Sequence, residues 1–62
     1  MKFAKLRKSK NITQIKLAEQ LGVSNRTVSA WETGIATPKI KMIKKIAELL
    51  NVSSDEVLEC FN

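Results

Sequence analysis

The sequence has no histidine and no tyrosine, one cysteine, one proline and two glycines among 62 residues. Each scarcity removes a class of chemistry. Histidine is the commonest general base and metal ligand near neutral pH, and it is absent. Cys60 alone can form no internal disulfide, and without histidines it completes no zinc site. No metal and no cofactor is therefore expected. Cys60 reads as an ordinary thiol near the C-terminus, with dimerisation through it or redox sensing as the other roles open to it. The six acids pair in no spacing that supports acid–base catalysis, so neither an enzyme nor a small-molecule substrate is expected. No apolar run approaches the roughly 20 residues of a membrane span. The N-terminal lysines precede no apolar core of a secretory leader. The expectation is a cytoplasmic chain without membrane contact.

A chain of this length is expected to form one domain, and it hides only about 60% of the surface its unfolded form exposes. That leaves little room for a deep cleft and favours short-range, helical contacts. The net charge of +5 is unevenly placed. Residues 1–45 hold all 11 lysines and arginines against Glu19 and Glu32. Residues 46–62 hold Glu48, Asp55, Glu56 and Glu59 and no base. Such an asymmetry suits an anionic partner on the N-terminal side, and nucleic acid fits best at this size. Nine lysines also serve simply to keep a small protein soluble.

Punctuation in the sequence predicts five short helices and no strand. The first, 2–10, puts Phe3, Leu6 and Arg7 on one face. The second, 14–21, has Thr13 as N-cap, an Ile12–Leu17 staple, a stripe of Leu17, Ala18 and Leu21, and Gly22 as its stop. The third, 25–32, repeats that grammar with Ser24 as cap, a Val23–Val28 staple, Val28 and Trp31 inward, and Gly34 as stop. Only Gly22, Val23 and Ser24 separate these two helices, so they meet steeply. The fourth, 39–50, is expected to be capped by Thr37 with Pro38 in its first turn, and to bury Ile40, Ile43, Ile46, Ala47 and Leu50. The fifth, 54–59, opens on a Ser53–Glu56 capping box with a Val52–Val57 staple. The predicted core is led by Leu6, Leu17, Ala18, Leu21, Val28, Trp31, Ile43, Ile46, Leu50 and Leu58.

The solvent side of the third helix is the unusual one. Asn25, Arg26, Ser29 and, less directly, Ala30 and Thr33 face out, and no acid occurs before Glu32. A helix N-terminus is positive and ordinarily attracts Asp or Glu. Here it offers an arginine, an amide side chain and free backbone N–H groups, which suit a phosphate and a base edge. Arginine can grip guanine O6 and N7, and asparagine adenine N6 and N7. Gln14, at the start of the second helix, can donate to a phosphate, and Lys39 and Lys41 are further candidates for backbone contact. The competing reading is a short polar helix on a soluble bundle.

Residues 13–34, TQIKLAEQLGVSNRTVSAWETG, resemble the helix-turn-helix of the phage Cro and repressor family, also called the xenobiotic-response-element family. The match lies in Thr13-Gln14, Leu17-Ala18, Gly22, Val28, Trp31-Glu32 and Gly34. It runs on through Pro38, the Ile43–Leu50 stretch and Val52-Ser53 to Leu58, covering about nine tenths of the chain. The resemblance implies a five-helix, lambda-repressor-like fold that binds double-stranded operator DNA as a dimer, with the third helix in the major groove. It implies base contacts at Asn25, Arg26 and Ala30, with Ser29 beside them. It implies backbone contact at Gln14, with Ser24, Thr27, Lys39 and Lys41 as further backbone candidates. It also implies a buried ion pair between Arg7 and Glu32. Two positions depart from the pattern: Ala30 stands where a longer polar side chain is frequent, and Asn11 where glycine is. One recognition helix covers few bases, so a homodimer is expected, joined through Val57, Leu58 and Phe61. A transcriptional repressor, an antitoxin or mobile-element accessory protein, and a protein–protein adaptor all share this fold. Basic and polar residues at 25, 26, 39 and 41 speak against the adaptor.

Overall fold

Three hydroxyl side chains decide where three of the helices begin. In the computed structural model, which describes residues 2–61, Thr13 Oγ1 accepts the Lys16 N–H at 3.1 Å, Ser24 Oγ the Thr27 N–H at 3.1 Å, and Ser53 Oγ the Glu56 N–H at 3.1 Å. Each bond satisfies an amide that has no partner within its own helix. The resulting elements are α1 (Lys2–Ser9), α2 (Gln14–Leu21), α3 (Asn25–Thr33), α4 (Ile40–Leu50) and α5 (Ser54–Glu59). Among the described residues the fold is all-α with five helices, in the lambda-repressor-like arrangement.

The ends of α2, α3 and α4 share one closing device. Gly22 (φ 72°), Gly34 (φ 81°) and Asn51 (φ 57°) take the left-handed conformation. The amide that follows each reaches back five residues: Val23 to Ala18 O and Val52 to Ala47 O, both at 3.0 Å, and Ile35 to Ala30 O at 3.0 Å. These bonds satisfy carbonyls left open at the last turn. They also turn the chain sharply enough for α3 to pack on both α1 and α2, and α4 on both α2 and α5.

The fourth helix begins differently from its expected start. Its N-cap is Lys39, extended and without a side-chain cap bond, so Thr37 does not cap it and Pro38 lies outside its first turn. Pro38 is instead buried in the connector, where it lines a groove with Trp31 and Met42. Ile40, expected inside, is 62% exposed because the helix starts with that residue rather than before it.

The core joins Phe3, Leu17, Ala18, Leu21, Val28, Trp31, Ile43, Ile46, Ala47, Leu50 and Val57. Ile12, Val23 and Val52, the outer members of the three staples, are half-buried against it. Two expected members change place. Leu6 is half-buried on the margin, and Leu58 is 38% exposed. Val57 takes the inward position on α5 with no exposed surface, since the staple with Val52 turns that residue in and its neighbour out. Phe3 is also fully buried, edge-on to Trp31 at 6.2 Å and tilted against Phe61 at 5.3 Å. The expected contact surface for a second copy therefore needs correction. Val57 has no surface to offer, Phe61 partly covers Phe3, and Leu58 is the exposed member of the three.

One charged pair lies within this apolar frame. Arg7 and Glu32 are both buried, at 7% and 9% exposure. Arg7 Nε–H donates to Glu32 Oε2, its Nη2–H to Glu32 Oε1 at 3.4 Å, and its Nη1–H to the Ile12 carbonyl at 2.7 Å. Among the described residues no buried side-chain nitrogen or oxygen lacks a partner. Removing one member strands the other's charge, so Arg7→Ala and Glu32→Ala should each cost about 3–5 kcal/mol. Denaturant melts check this, and unchanged midpoints would contradict it.

Cys60 is half-buried, and its thiol donates to the Glu56 carbonyl at 3.4 Å. Burial pushes the thiol above its usual pKa, and the nearby Glu59 and Glu56 add to this while Lys2 opposes it. Only the thiolate is nucleophilic. Alkylation of the folded chain at neutral pH should therefore be several times slower than of the unfolded chain, and should accelerate as the pH rises. Equal rates in the two states would contradict the buried placement.

Candidate nucleic-acid interface

Val28, Trp31 and Glu32 turn into the protein and thereby fix what α3 shows outside. Asn25 and Arg26 are exposed, and Thr27, Ser29 and Ala30 are half-exposed beside them. This is the periodicity of one helix with a buried stripe and an open first turn. The amides of Asn25 and Arg26 can have no partner within the helix, because they open it. The first turn holds no acid.

Ser24 and Thr27 form a small unit at this end. Their hydroxyls lie 2.9 Å apart, and Ser24 Oγ also receives the Thr27 N–H. One hydroxyl must donate to the other, so one O–H of the pair remains for an external acceptor. Thr33 is not part of this surface chemistry. Its hydroxyl donates back to the Ser29 and Ala30 carbonyls at 3.0 and 3.4 Å, which fastens the last turn of α3.

Lys39 and Lys41 stand exposed at the start of α4. They share an open groove of about 350 Å³ with Val23, Thr27, Trp31 and Met42. The groove brings the two lysines to the flank of α3, a juxtaposition that the 11 residues between Thr27 and Lys39 in the chain do not reveal. The first turns of α2, α3 and α4 carry no acid, whereas that of α5 carries Asp55 and Glu56. Positive helix ends are thus left uncompensated in the three elements that hold the candidate residues.

Gln14 has a partner that sequence reasoning missed. Its side-chain Nε2–H donates to Glu32 Oε1 at 3.1 Å, across 18 residues of chain. No local pattern signals such a bond, since it depends on how α2 and α3 cross. Arg7 and Glu32 are sealed inside and take no part in the outer surface. Ile35, in the α3–α4 connector, is 82% exposed and had no role in the sequence reading, while Ile40, expected in the core, is 62% exposed at the start of α4. Among the described residues no group of three potential ligands is placed to hold a metal ion, and no helix is long and apolar enough to cross a membrane.

The profile of the helix-turn-helix family matches residues 3–57. Over 57 residues, 92% of this chain, the sequence is 44% identical to the HTH-type transcriptional activator BcrR of Enterococcus faecalis, of which it covers 28%. It is 34% identical over 56 residues, 90% of this chain, to the cryptic phage CTXphi transcriptional repressor RstR of Vibrio cholerae, of which it covers 50%. It is 40% identical over 47 residues, 76% of this chain, to the uncharacterised HTH-type transcriptional regulator MJ0272 of Methanocaldococcus jannaschii, of which it covers 71%. The chain thus spans half or less of the activator and the phage repressor. No solved structure gives a significant match. The matched residues include both helices around Gly22, the buried stripe that orients α3, and the connector to α4, and the chain belongs to the helix-turn-helix family of DNA-binding transcriptional regulators, of the Cro and repressor type.

Proposed function

We propose that the chain binds a two-fold operator in double-stranded DNA as a homodimer, with α3 in the major groove, and regulates transcription by occupying that site. The observation that carries this reading is the open first turn of α3, where Asn25 and Arg26 stand exposed on an acid-free helix end. Arg26 meets a guanine edge and Asn25 an adenine edge. Ser29 and Ala30 lie one turn further on, and Ala30 can offer only apolar contact to a thymine methyl. Gln14, Ser24, Thr27, Lys39 and Lys41 meet phosphates, which set the register without reading sequence. The uncapped start of α4 supports the two lysines, because its free amides add to their attraction for an anion. Repression follows where the site overlaps a promoter. One of the similar proteins is described as an activator and another as a repressor.

Two copies are needed because one short helix reads few base pairs. Their half-sites should lie about one helical turn apart, roughly 34 Å. Leu58, on the acid-rich α5, and the exposed part of Phe61 are the apolar surface for the contact. Selection from a random duplex pool should yield a palindrome with that spacing, and ultracentrifugation on the winner should give two chains per site. A non-palindromic winner or one chain per site would refute the dimer.

The contacts divide by what each can do. Arg26→Ala should weaken the selected operator most and flatten the preference at one base pair per half-site, since a good bidentate pair discriminates by about 1–3 kcal/mol. Lysine at position 26 should recover only part, lacking the planar fork. Lys39→Ala or Lys41→Ala should weaken all duplexes about equally, and each should lower the salt slope by about one unit, the share of one neutralised phosphate. Binding to operator, single-base variants and random duplex at several salt concentrations checks this. An equal loss for Arg26→Ala on operator and random DNA would make Arg26 a phosphate ligand and pass specificity to Asn25 and Ser29.

A further inference from the structure

The Glu32 carboxylate binds more than its ion-pair partner. Oε2 receives Arg7 Nε–H, while Oε1 receives both Arg7 Nη2–H at 3.4 Å and Gln14 Nε2–H at 3.1 Å. Arg7 also holds the Ile12 carbonyl, two residues before α2 begins. The start of α2 is thus tied twice to the same buried pair, through the backbone at Ile12 and the side chain at Gln14. A glutamine amide carries two protons on a planar nitrogen. With one committed to Glu32, the direction of the other is fixed, and the side chain no longer swings freely.

Charge explains why the pair works only as a unit. A bare carboxylate against the Gln14 amide would repel a phosphate approaching that amide. The Arg7 guanidinium, bonded to both carboxylate oxygens, cancels that charge at short range. Glu32 can then act as an orienting acceptor without acting as a net negative charge.

We propose that Glu32, neutralised by Arg7, is a positioning residue for DNA binding, holding the Gln14 amide with its free N–H directed at a backbone phosphate. The inference rests on the DNA reading above and extends it to a side chain that never touches DNA. It makes the last turn of α3 the reference for a phosphate contact at the start of α2, so the helix that reads bases and the residue that grips the backbone share one anchor.

The test removes the anchor without stranding a charge. Replacing a buried ion pair by apolar side chains of similar size is often neutral for stability, so Arg7→Met/Glu32→Met should keep its helical spectrum and melting temperature. Gln14→Ala in the natural chain should lower operator affinity about tenfold, and the double variant should lose a similar factor. Adding Gln14→Ala to the double variant should then change little. The proposal fails if the double variant binds like the natural chain, or if Gln14→Ala costs the same factor in both backgrounds. A second measurement needs no variant of the pair. In the natural chain, the two side-chain amide protons of Gln14 should exchange with water at unequal rates, the one bonded to Glu32 more slowly. The inward one should stay protected when operator duplex is added, while the outward one shifts. Equal exchange of the two protons, or loss of the inward bond on binding, would overturn the proposal. A natural chain that selects no operator would overturn the DNA reading itself, whereas one that binds while the double variant binds equally overturns only the role of Glu32.

Discussion

The contact between Arg7 and Glu32 joins three segments that have little else in common. It fastens α1 to the last turn of α3 and, through the Ile12 carbonyl, to the turn before α2. The apolar core brings these helices together and turns Val28 and Trp31 inward, and the directed bonds of the pair add a further constraint on rotation about the α3 axis. Rotation of α3 matters most here, because a turn of one residue would bury Arg26 or Asn25 and expose Trp31. The buried pair and the edge-on contact of Phe3 with Trp31 act on neighbouring residues of α3 and so hold its inward side from two directions.

From that fixed rotation the outer surface follows. Every residue that α3 buries is apolar except Glu32, whose charge is met inside. What its first two turns leave outside is short, polar or basic, and no acid lies among it. The two closing turns at Gly22 and Gly34 then set α2 and the α4 connector on either side of this surface. The groove shared by Thr27, Trp31, Lys39 and Lys41 is the consequence of the second turn.

Much of this was legible in the sequence, and the reason differs from element to element. The starts and stops of α2, α3 and α5 were readable because Thr13, Ser24, Ser53, Gly22 and Gly34 act locally, within a few residues of where they stand. The inner faces were readable from the staple pairs, which share that short range. The start of α4 was misread because Thr37 and Pro38 have the right composition for a cap and first turn, yet Pro38 is claimed by burial beside Trp31 and Met42. That is a tertiary effect with no local sign. The places of Val57 and Leu58 were confused for a related reason, since a six-residue helix has too few turns for its period to separate neighbours. In the candidate site, the exposed residues of α3 were readable from its buried stripe. The bond from Gln14 to Glu32 was not, because it spans 18 residues and two helices. The resemblance to Cro-type proteins led to the Arg7–Glu32 pair, which composition alone did not suggest.

The chain follows the rules of helix electrostatics in one part and breaks them in another. Asp55 and Glu56 occupy the first turn of α5, where negative charge is favourable. Arg26 occupies the first turn of α3 and Lys39 the cap position of α4, where positive charge is not. Exposed charges near a helix end are generally worth only about 0.3–1 kcal/mol, so a folded chain can tolerate both. Tolerance does not explain why the two misplaced cations stand at elements that adjoin one groove. Local conflicts of this kind gather where a site is kept for a partner rather than for stability. An anion at these ends would satisfy the free amides and the cations together, and the phosphates of a DNA backbone present such anions at regular spacing. The acidic α5 and the exposed Leu58 have the opposite character, which suits a face turned from the DNA. The uneven charge of the chain is thus the same in sequence and structure: the first turns of α3 and α4 carry no acid, and that of α5 carries two.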